Sequence, residues 1–420
     1  MKSYPAKTVG FVLFSLMLVP LLSFSLASAP QPSGTGSVAE IAAMHTARAS
    51  HTSTLLPNGK VLIAGGFAGS GAEYNPYRSA ELYDPSSGTF ESVAEMSLGR
   101  SGHTATLLKN GEVLIVGGWT GRYDLRGSAE IYDPARNTFK TTGNMVNERA
   151  GNTATLLADG RVLIAGGVDR QENALASAEI YDPATGKFTV TASMADPRGS
   201  HTATALKDGR VLIVGGGSGH YPSQTIYRSA ELFNPATGKF TSAGQTTAGR
   251  HKHAAILLRS GKVLIVGGSD NRDWRGEYAS AEIYDPASGT FTATGAMNTS
   301  RFKLPAAVAL LPNGKVLVAG GGPFGELYDE SAGAFTKVPG SLGAARFFAS
   351  ATLLPSGEAL ITGGYAESGS GLPSTAAAWL YRPAPDQTPT GILRRQSPIK
   401  AVDLRSFGCL PWQSFDRRDV

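Results

Sequence analysis

Nine residues that could bind a ligand stand in stretches that differ from one another, although the sequence around them repeats. They are mostly aromatic rings and guanidinium groups, which suit binding of a polar surface with flat apolar patches. The candidates are Tyr77, Trp119, Arg122, Tyr123, Asp124, Arg170, Tyr221, Arg272 and Trp274. This composition predicts a site for a glycan or a protein segment. The alternative is that these residues belong to ordered loops that pack on one another.

Carboxylates in the same stretches could instead perform acid–base chemistry. An enzyme that epimerises a sugar needs an acid and a base beside the bound ring, and Asp124, Asp169, Asp270 and Asp273 are available. No spacing distinguishes any one of the four. The sequence contains no glycine-rich phosphate loop, nucleophile elbow or metal motif. We therefore expect a binding function with no assigned catalytic residue, and a sugar epimerase-like enzyme is the alternative.

One phrase recurs through the chain with a period of about 50 residues. The phrase "SAEIYDPATGKFT" at Ser177 is almost repeated at Ser79, Ser128, Ser229 and Ser280. Seven glycine turns, from "PNGK" at Pro57 to "PSGE" at Pro355, imply seven units. Asn-Gly or Asp-Gly between apolar and β-branched runs predicts a hairpin with a type I′ turn. Each unit is therefore predicted to form four antiparallel strands.

The units closely resemble kelch repeats. Two glycines follow the second run, an aromatic residue lies in the third strand and another opens the fourth, as Gly166, Tyr181 and Phe188 do in the third unit. The fourth-strand residue is Phe where the kelch pattern usually has Trp. The resemblance implies an all-β fold, a seven-bladed β-propeller of four-stranded antiparallel blades over residues 36–383. Tight turns would then lie on one face and the variable loops on the other, where we expect the ligand.

The seventh unit lacks its fourth strand, and the other end of the chain supplies a replacement. "GSVAEIAAM" at residues 36–44 aligns with "GTFESVAEM" at residues 88–96. We predict that this N-terminal strand completes the last blade and closes the ring, which removes an unpaired edge. The alternative strand is "PTGILRR" near Thr390.

Residues that recur in every unit are predicted to be scaffold, because a catalytic group is needed only once. A buried Arg and Glu in each blade could form an ion pair. The recurring arginines are Arg48, Arg100, Arg149, Arg198, Arg250, Arg301 and Arg346. The recurring glutamates are Glu81, Glu130, Glu179, Glu231, Glu282 and Glu326. The recurring glycines are Gly65, Gly117, Gly166, Gly215, Gly267, Gly320 and Gly363.

Four histidines, His51, His103, His201 and His253, each stand three residues after one of these arginines. A metal ion needs its nitrogen ligands within about 2.1 Å, and residues on different blades of a seven-fold ring do not meet that requirement easily. We therefore expect no metal and no cofactor.

Residues 1–29 have the layout of a signal peptide: Lys2 and Lys7, an apolar run and then "ASA". This predicts a secreted, periplasmic or cell-surface protein, and an uncleaved membrane anchor is the alternative. Cys409 is the single cysteine, so no intramolecular disulfide can form. An oxidase resembling galactose oxidase would need a Cys crosslinked to a Tyr, and the propeller segment has no Cys.

The remaining features restrict the partners. Without residues 1–29 the 38 basic residues become 36 against 33 acidic ones, with no basic stripe, which argues against nucleic-acid binding. We expect a monomer whose partner is a protein or a glycan. Residues 384–420 break the repeat and are predicted to be a disordered tail.

Overall fold

The computed structural model describes residues 34–69, 74–121, 124–220, 223–366 and 373–385. The chain divides into two compact units, Met1–Pro32 and Ser33–Val420, and every described residue lies in the second. The predicted signal peptide, nearly all of the 384–420 tail and Cys409 fall outside the described residues. No described helix is long and apolar enough to cross a membrane.

The structure confirms the all-β seven-bladed propeller. Each blade is a four-stranded antiparallel sheet, and in blades one to six the strands pair in sequence order. The second strand of a blade is buried on both faces, as Val61–Ala64 shows, because neighbouring blades pack against either side of it. The first strands of neighbouring blades touch all the way round, including blade seven against blade one, and so surround a central axis.

The strand bounds follow the repeat closely. Blade one contains Thr52–Leu55, Val61–Ala64, Ala80–Asp84 and Thr89–Ser92; blade two contains Thr104–Leu107, Val113–Val116, Ala129–Asp133 and Thr138–Thr141. Blade three contains Thr153–Leu156, Val162–Ala165, Ala178–Asp182 and Lys187–Val190; blade four contains Thr202–Ala205, Val211–Val214, Ser229–Asn234 and Lys239–Gln245. Blade five contains Ala254–Leu257, Val263–Val266, Ala281–Asp285 and Thr290–Thr294; blade six contains Val308–Leu310, Val316–Val318, Glu326–Asp329 and Ala334–Lys337. Blade seven contains Ser350–Leu353, Ala359–Thr362, Ala378–Arg382 and the N-terminal strand Ser37–Glu40.

Three of the loops between second and third strands form short two-stranded ribbons. These pair Phe67–Ala68 with Asn75–Pro76, Trp119–Gly121 with Asp124–Leu125, and Gly217–Ser218 with Thr225–Ile226. The corresponding loop of blade five contains a short 3-10 helix, Asp273–Arg275.

Ring closure by the N-terminal strand is confirmed. Ser37–Glu40 pairs antiparallel with Ala378–Arg382, so that Val38 stands opposite Tyr381. Val38 is buried in one apolar cluster with Trp379 and Tyr381. The alternative strand near Thr390 lies outside the described residues, and its place in the blade is filled by the N-terminal strand.

The tight turns join the strands as predicted, but their type differs from the prediction. Gly59 has a φ of +83°, whereas Asn58 is not in the left-handed region. Gly59 N donates to Leu56 O, and Leu56 N donates to Lys60 O. These bonds enclose a three-residue loop with a glycine bulge rather than a two-residue type I′ turn. The difference arises because the Asn58 side chain accepts a hydrogen bond from Lys60 N at 3.1 Å, which keeps Asn58 in an ordinary turn conformation.

Six buried Arg–Glu pairs join each blade to the segment that enters it. Arg149 and Glu179 are both fully buried, and their charged atoms are 2.8 Å apart. Arg149 also donates to the carbonyl oxygens of Gly166 and Ser177, and Glu179 accepts from two backbone N–H groups of the entering segment. The same ion pair is present as Arg48–Glu81, Arg100–Glu130, Arg198–Glu231, Arg250–Glu282 and Arg301–Glu326. In blades one to six the pair therefore links the segment that enters the blade to the third strand of that blade.

Blade seven departs from the repeat at the glutamate position, and blade six departs from it at the recurring glycine. The glutamate position of blade seven is occupied by Trp379, opposite Ile361, and the Arg346 guanidinium lies 5.4 Å from its ring centre. In blade six Gly321, rather than Gly320, has positive φ, at +66°. A Cβ on Gly320 would lie 2.4 Å from the Ala307 Cβ, so this glycine is required by close packing and not by its backbone conformation.

Candidate functional site at the mouth of the axial cavity

Seven residues with left-handed backbone form a ring on the long-loop face. Each stands two positions after a recurring arginine, just before a first strand. They are Ser50, Gly102, Gly151, Ser200, Lys252, Lys303 and Phe348, with φ between +52° and +61°. We call these seven residues the mouth ring.

The mouth ring is closed by backbone hydrogen bonds that run from blade to blade in one direction. Ser50 N donates to Phe348 O, Gly102 N to Ser50 O, Gly151 N to Gly102 O, Ser200 N to Gly151 O, Lys252 N to Ser200 O, Leu304 N to Lys252 O and Phe348 N to Lys303 O, at 2.7–3.4 Å. All seven blades take part. The ring therefore fixes the width of the opening at the axis.

Side chains of the mouth ring divide the opening into two halves. In blades one to four the ring residue and the one before it are small: Ala49-Ser50, Ser101-Gly102, Ala150-Gly151 and Gly199-Ser200. In blades five to seven both are large: His251-Lys252, Phe302-Lys303 and Phe347-Phe348. We call these last six residues the cationic–aromatic arc. The residues at these two positions are small in four blades and large in three. The arc therefore marks where the seven-fold symmetry is broken.

The ring opens into an axial cavity of about 410 Å³. Its wall on the side of the arc contains Lys252, Pro305, Ala306 and Phe348. The facing wall has no side chain at Gly102 and Gly151 and is lined below them by Ser, Thr and Ala side chains and by the polar side chains of His51, His103, Asn152 and His201. Among the described residues that line the cavity, Lys252 is the one with a charged side chain at neutral pH.

Lys252 is held by an aspartate from the neighbouring loop. Its Nζ donates to both carboxylate oxygens of Asp273, at 2.8 and 2.9 Å, and both side chains are about one-fifth exposed. Burial alone would raise the pKa of Asp273, but the adjacent His251 and the charges of Lys252 and Lys303 outweigh it and hold that pKa well below its usual value. Asp273 is therefore an ionised partner of Lys252 and not a proton donor at neutral pH.

The rest of the arc surrounds a second ammonium group with aromatic rings. Lys303 Nζ lies 4.8 Å from the ring centre of Phe302, 6.0 Å from that of Phe347 and 5.5 Å from that of Tyr365. The three rings are 5% exposed or less. The rings therefore pack against Lys303 inside the protein, and their faces are not exposed to solvent.

The four recurring histidines lie behind the mouth ring and bridge neighbouring blades. His103 Nε2 hydrogen-bonds Thr52 Oγ1, His201 bonds Thr153, and His253 bonds Thr202, at 2.9–3.1 Å. His51 makes the equivalent bonds to Ser350 and Thr362 across the closure. Each histidine ring therefore links two neighbouring blades. The described residues contain no group of three or more His, Cys, Asp or Glu side chains that could hold a metal.

Burial of these histidines should make folding sensitive to mild acid. Burial and the neighbouring arginine lower the pKa of His51, His103 and His201 to about 3, and that of His253 falls well below its usual value. Since the folded pKa is depressed, the unfolded chain binds more protons between pH 6.5 and pH 3, and stability decreases as pH falls through that window. We expect unfolding near pH 5 to take up about four protons from these residues. His251, whose pKa is also lowered by burial, and the carboxylates of the unfolded chain add to this number.

Calorimetry in buffers of different ionisation enthalpy measures this uptake. His103→Asn is the matched variant, because blade three has Asn152 at this position, and it should reduce the uptake by about one proton. An uptake below two protons in the unmodified protein would contradict the neutral, buried state of the ring.

Comparisons with known proteins agree with this architecture. The family model described as the KLHDC2/KLHL20/DRC7 Kelch-repeats domain matches residues 102–321, more than half of the chain. The Kelch motif model matches residues 48–97. The chain belongs to the kelch-repeat family. No curated protein matches it in a sequence search.

Among solved structures, this kelch propeller is similar to a fungal alcohol oxidase of the AA5 family in complex with copper. The two chains are 17% identical, with a TM-score of 0.63 over 83% of this chain and 76% of that chain. At this identity the likeness shows a shared fold and no shared chemistry.

The structure describes the side chains of five of the nine predicted ligand residues in this kelch propeller, and among these Arg170 and Asp124 are in contact. The Tyr77 ring lies 5.7 Å from the Arg48 guanidinium, and Tyr227, Tyr278 and Phe324 stack on the corresponding arginines of other blades. By the repetition criterion Tyr77 therefore belongs to the scaffold. Trp119 is half-buried. Its ring lies beside the mouth, since a Cβ on Gly102 would be 3.9 Å from the Trp119 Cδ1 atom.

The other predicted residues lie farther out on the loops or cannot be placed. Arg170 forms an ion cluster with Glu148 and Asp124, at 3.1 and 3.5 Å. Arg272 folds back on Asp270, at 2.6 Å. Arg122, Tyr123 and Tyr221 lie outside the described residues, as does the side chain of Trp274.

The four carboxylates considered for acid–base chemistry all have hydrogen-bond or ion-pair partners in the structure. Asp169 accepts from the backbone N–H groups of Gln171 and Asn173 and so shapes its turn. The hydrogen bond from Arg272 lowers the pKa of Asp270. Asp124 and Asp273 form ion pairs with Arg170 and Lys252. A general acid at neutral pH needs a raised pKa, whereas the pKa values of Asp270 and Asp273 are lowered.

Sequence reasoning missed the arc, although a signal for it was present. Aligning the segments that follow the arginines gives "ASH", "SGH", "AGN", "GSH", "HKH", "FKL" and "FFA". The last three differ from the first four at the same two positions. That contrast locates the asymmetric half of the mouth without any structural information.

Proposed function

We propose that this kelch propeller is a protein-binding module that acts outside the cytoplasm and holds its partner at the mouth ring. The observation that carries the proposal is the placement of Lys252, Lys303 and Phe348 in left-handed backbone where blades two and three use glycine. A residue other than glycine costs about 1 kcal/mol or more in this conformation. Blades two and three show that glycine suffices for the backbone here, so the three side chains are not required by the backbone and instead supply charged and aromatic groups at the mouth.

Position on the fold supports the same function. The arc lies at the axis on the long-loop face, where side chains from several blades can contact one ligand. Next to it, the loop between the second and third strands of blade six spans only residues 319–325, whereas blade five uses residues 267–280. A protein segment approaching the mouth over blade six would meet less of a rim there.

A protein fits the mouth better than a glycan. Sugar rings stack on exposed aromatic faces, whereas Phe302, Phe347 and Tyr365 are buried. The mouth instead offers peptide groups, one ammonium group, neutral polar side chains and the half-buried ring of Phe348. These groups suit a polypeptide with polar and apolar side chains in succession.

Export is part of the proposal and rests on the sequence of residues 1–29. A charged start, an apolar run and a small-residue end are typical of a secretory signal. The absence of cysteine from residues 30–408 is compatible with an oxidising compartment, since no thiol of the propeller could mispair there.

The test fills the mouth without changing the fold. A Cβ on Gly151 would meet nothing within 4 Å, and Phe348 shows that a phenylalanine fits this backbone conformation. We expect Gly151→Phe to fold and to reduce partner capture by the full chain, from envelope and medium of the native host, at least tenfold. Gly209→Phe is the matched control, because Gly209 also has positive φ and open space but lies in a tight turn on the opposite face.

The two variants separate the outcomes. Equal capture by both, at equal melting temperatures, would show that the mouth does not hold the partner. Binding to a glycan array that Gly151→Phe abolishes and Gly209→Phe does not would instead assign a carbohydrate ligand to the same site.

A further inference from the structure

The ammonium group of Lys252 has one donor left for a ligand. A lysine carries three N–H donors, and the two hydrogen bonds of Nζ go to the two oxygens of Asp273. This bidentate contact orients the side chain, while Lys252 still lines the axial cavity. The group is therefore pre-organised to donate to an incoming acceptor.

Charge at the mouth favours an anionic acceptor. The described residues that line the cavity include Lys252 and no carboxylate. The Asp273 carboxylate bound to Lys252 carries one negative charge, but the arc contains two lysines, Lys252 and Lys303, so these three groups have a formal net charge of +1. The four buried histidines stay neutral, since burial lowers their pKa. An anion at this position meets an ammonium group in a partly desolvated setting, where a charge-assisted hydrogen bond is stronger than in water.

The wall beside Lys252 is apolar. Pro305, Ala306 and Phe348 line the same side of the cavity, and Ala255 and Ala349 continue it. A ligand that places its anionic group on Lys252 therefore brings its neighbouring atoms against these side chains. The favoured ligand carries a carboxylate close to an apolar group.

We infer that the mouth ring recognises an acidic side chain of the partner protein, an Asp or Glu next to an apolar residue, whose carboxylate binds Lys252. This inference rests on the proposed function and names the chemistry of its ligand. A single remaining donor suits one carboxylate oxygen, whereas a phosphate group is usually held by several donors. Asp273 keeps the lysine in place and is a positioning residue.

A selection from a random peptide library displayed on phage, with the full chain as bait, tests the inference. We expect enriched families that share an Asp or Glu beside an apolar residue. In a synthetic peptide of such a family, changing the acid to its amide should weaken binding by 10-fold or more. Lys252→Gly should weaken binding of the acidic peptide equally and remove any effect of the amide change.

Lys252→Gly removes the charge at a position whose φ of +54° suits glycine, so the variant is expected to fold. Lys252→Arg is the conservative control, and it should retain most of the binding because it keeps the charge. A melting temperature measured for both variants separates lost binding from lost structure.

The remaining outcomes distinguish the inference from the proposed function. Peptides that Gly151→Phe excludes but that lack an acid would overturn the inference and leave the proposed function intact. An amide effect that persists in Lys252→Gly would do the same. Peptides insensitive to Gly151→Phe, or a selection with no enriched family, would contradict both.

Discussion

Removal of residues 30–45 should destabilise the propeller and make its unfolding less cooperative. The deletion takes away the fourth strand of blade seven and exposes the backbone edge of Ala378–Arg382. It also uncovers Trp379 and Tyr381, which pack with Val38. Since the first strands of blades seven and one meet at the axis, a loosened blade seven opens the ring. We expect the melting temperature to fall by more than about 10 °C, with a broadened transition.

A point substitution tests the same closure more gently. Val38→Asp places a charge at a site that is 5% exposed, which should cost about 4 kcal/mol or more. Val190→Asp is the control, because Val190 lies in the fourth strand of blade three and is 53% exposed. A synthetic peptide of residues 30–45 should restore the melting temperature of the truncated chain. If the truncated chain melts like the intact one, another segment closes the ring.

The second large effect concerns the buried ion pairs. Arg149→Met should destabilise the propeller by about 3–5 kcal/mol, because it leaves the Glu179 carboxylate buried without its cation. The double variant Arg149→Met/Glu179→Leu should recover part of this loss, since it removes the isolated charge. Denaturant unfolding monitored by circular dichroism gives both values.

Blade seven supplies the control for this prediction. Arg346 contacts Trp379 and is half-buried, and the nearby Glu40 is exposed, so Arg346→Met leaves no buried carboxylate without its cation. It should cost much less than Arg149→Met. Equal losses for the two substitutions would mean that packing of the side chain, and not the ion pair, is what each arginine contributes.

Most of the fold was predictable because it is written seven times. Turn glycines, the second-strand runs and the "SAEIYDP" phrase define strands locally, and their repetition determines the number of blades. Closure was predictable for the same reason, since Val38 aligns with Phe90 of a complete blade. The turn type was not, because it depends on a local hydrogen bond of the Asn58 side chain that the Asn-Gly pair does not reveal.

The candidate site was predictable only in part. The face was inferred from loop lengths, but the nine residues were chosen by type, and type does not give distance from the axis. Arg170 forms ion pairs with Glu148 and Asp124, and Arg272 forms one with Asp270 of its own loop. The mouth ring depends on hydrogen bonds between residues far apart in the chain, such as Ser50 and Phe348. Such a contact is visible only after the ring is closed.

Site-specific photocrosslinking in secreting cells tests directly whether the mouth ring holds a partner protein. A photoreactive amino acid at Ala306 lies in the mouth, and one at Ala236 lies beside the tight turns of the opposite face. We expect a discrete protein adduct from position 306, lost when Gly151→Phe is added, and none from position 236. An adduct from position 236 alone, or one from position 306 that Gly151→Phe does not affect, would contradict this prediction.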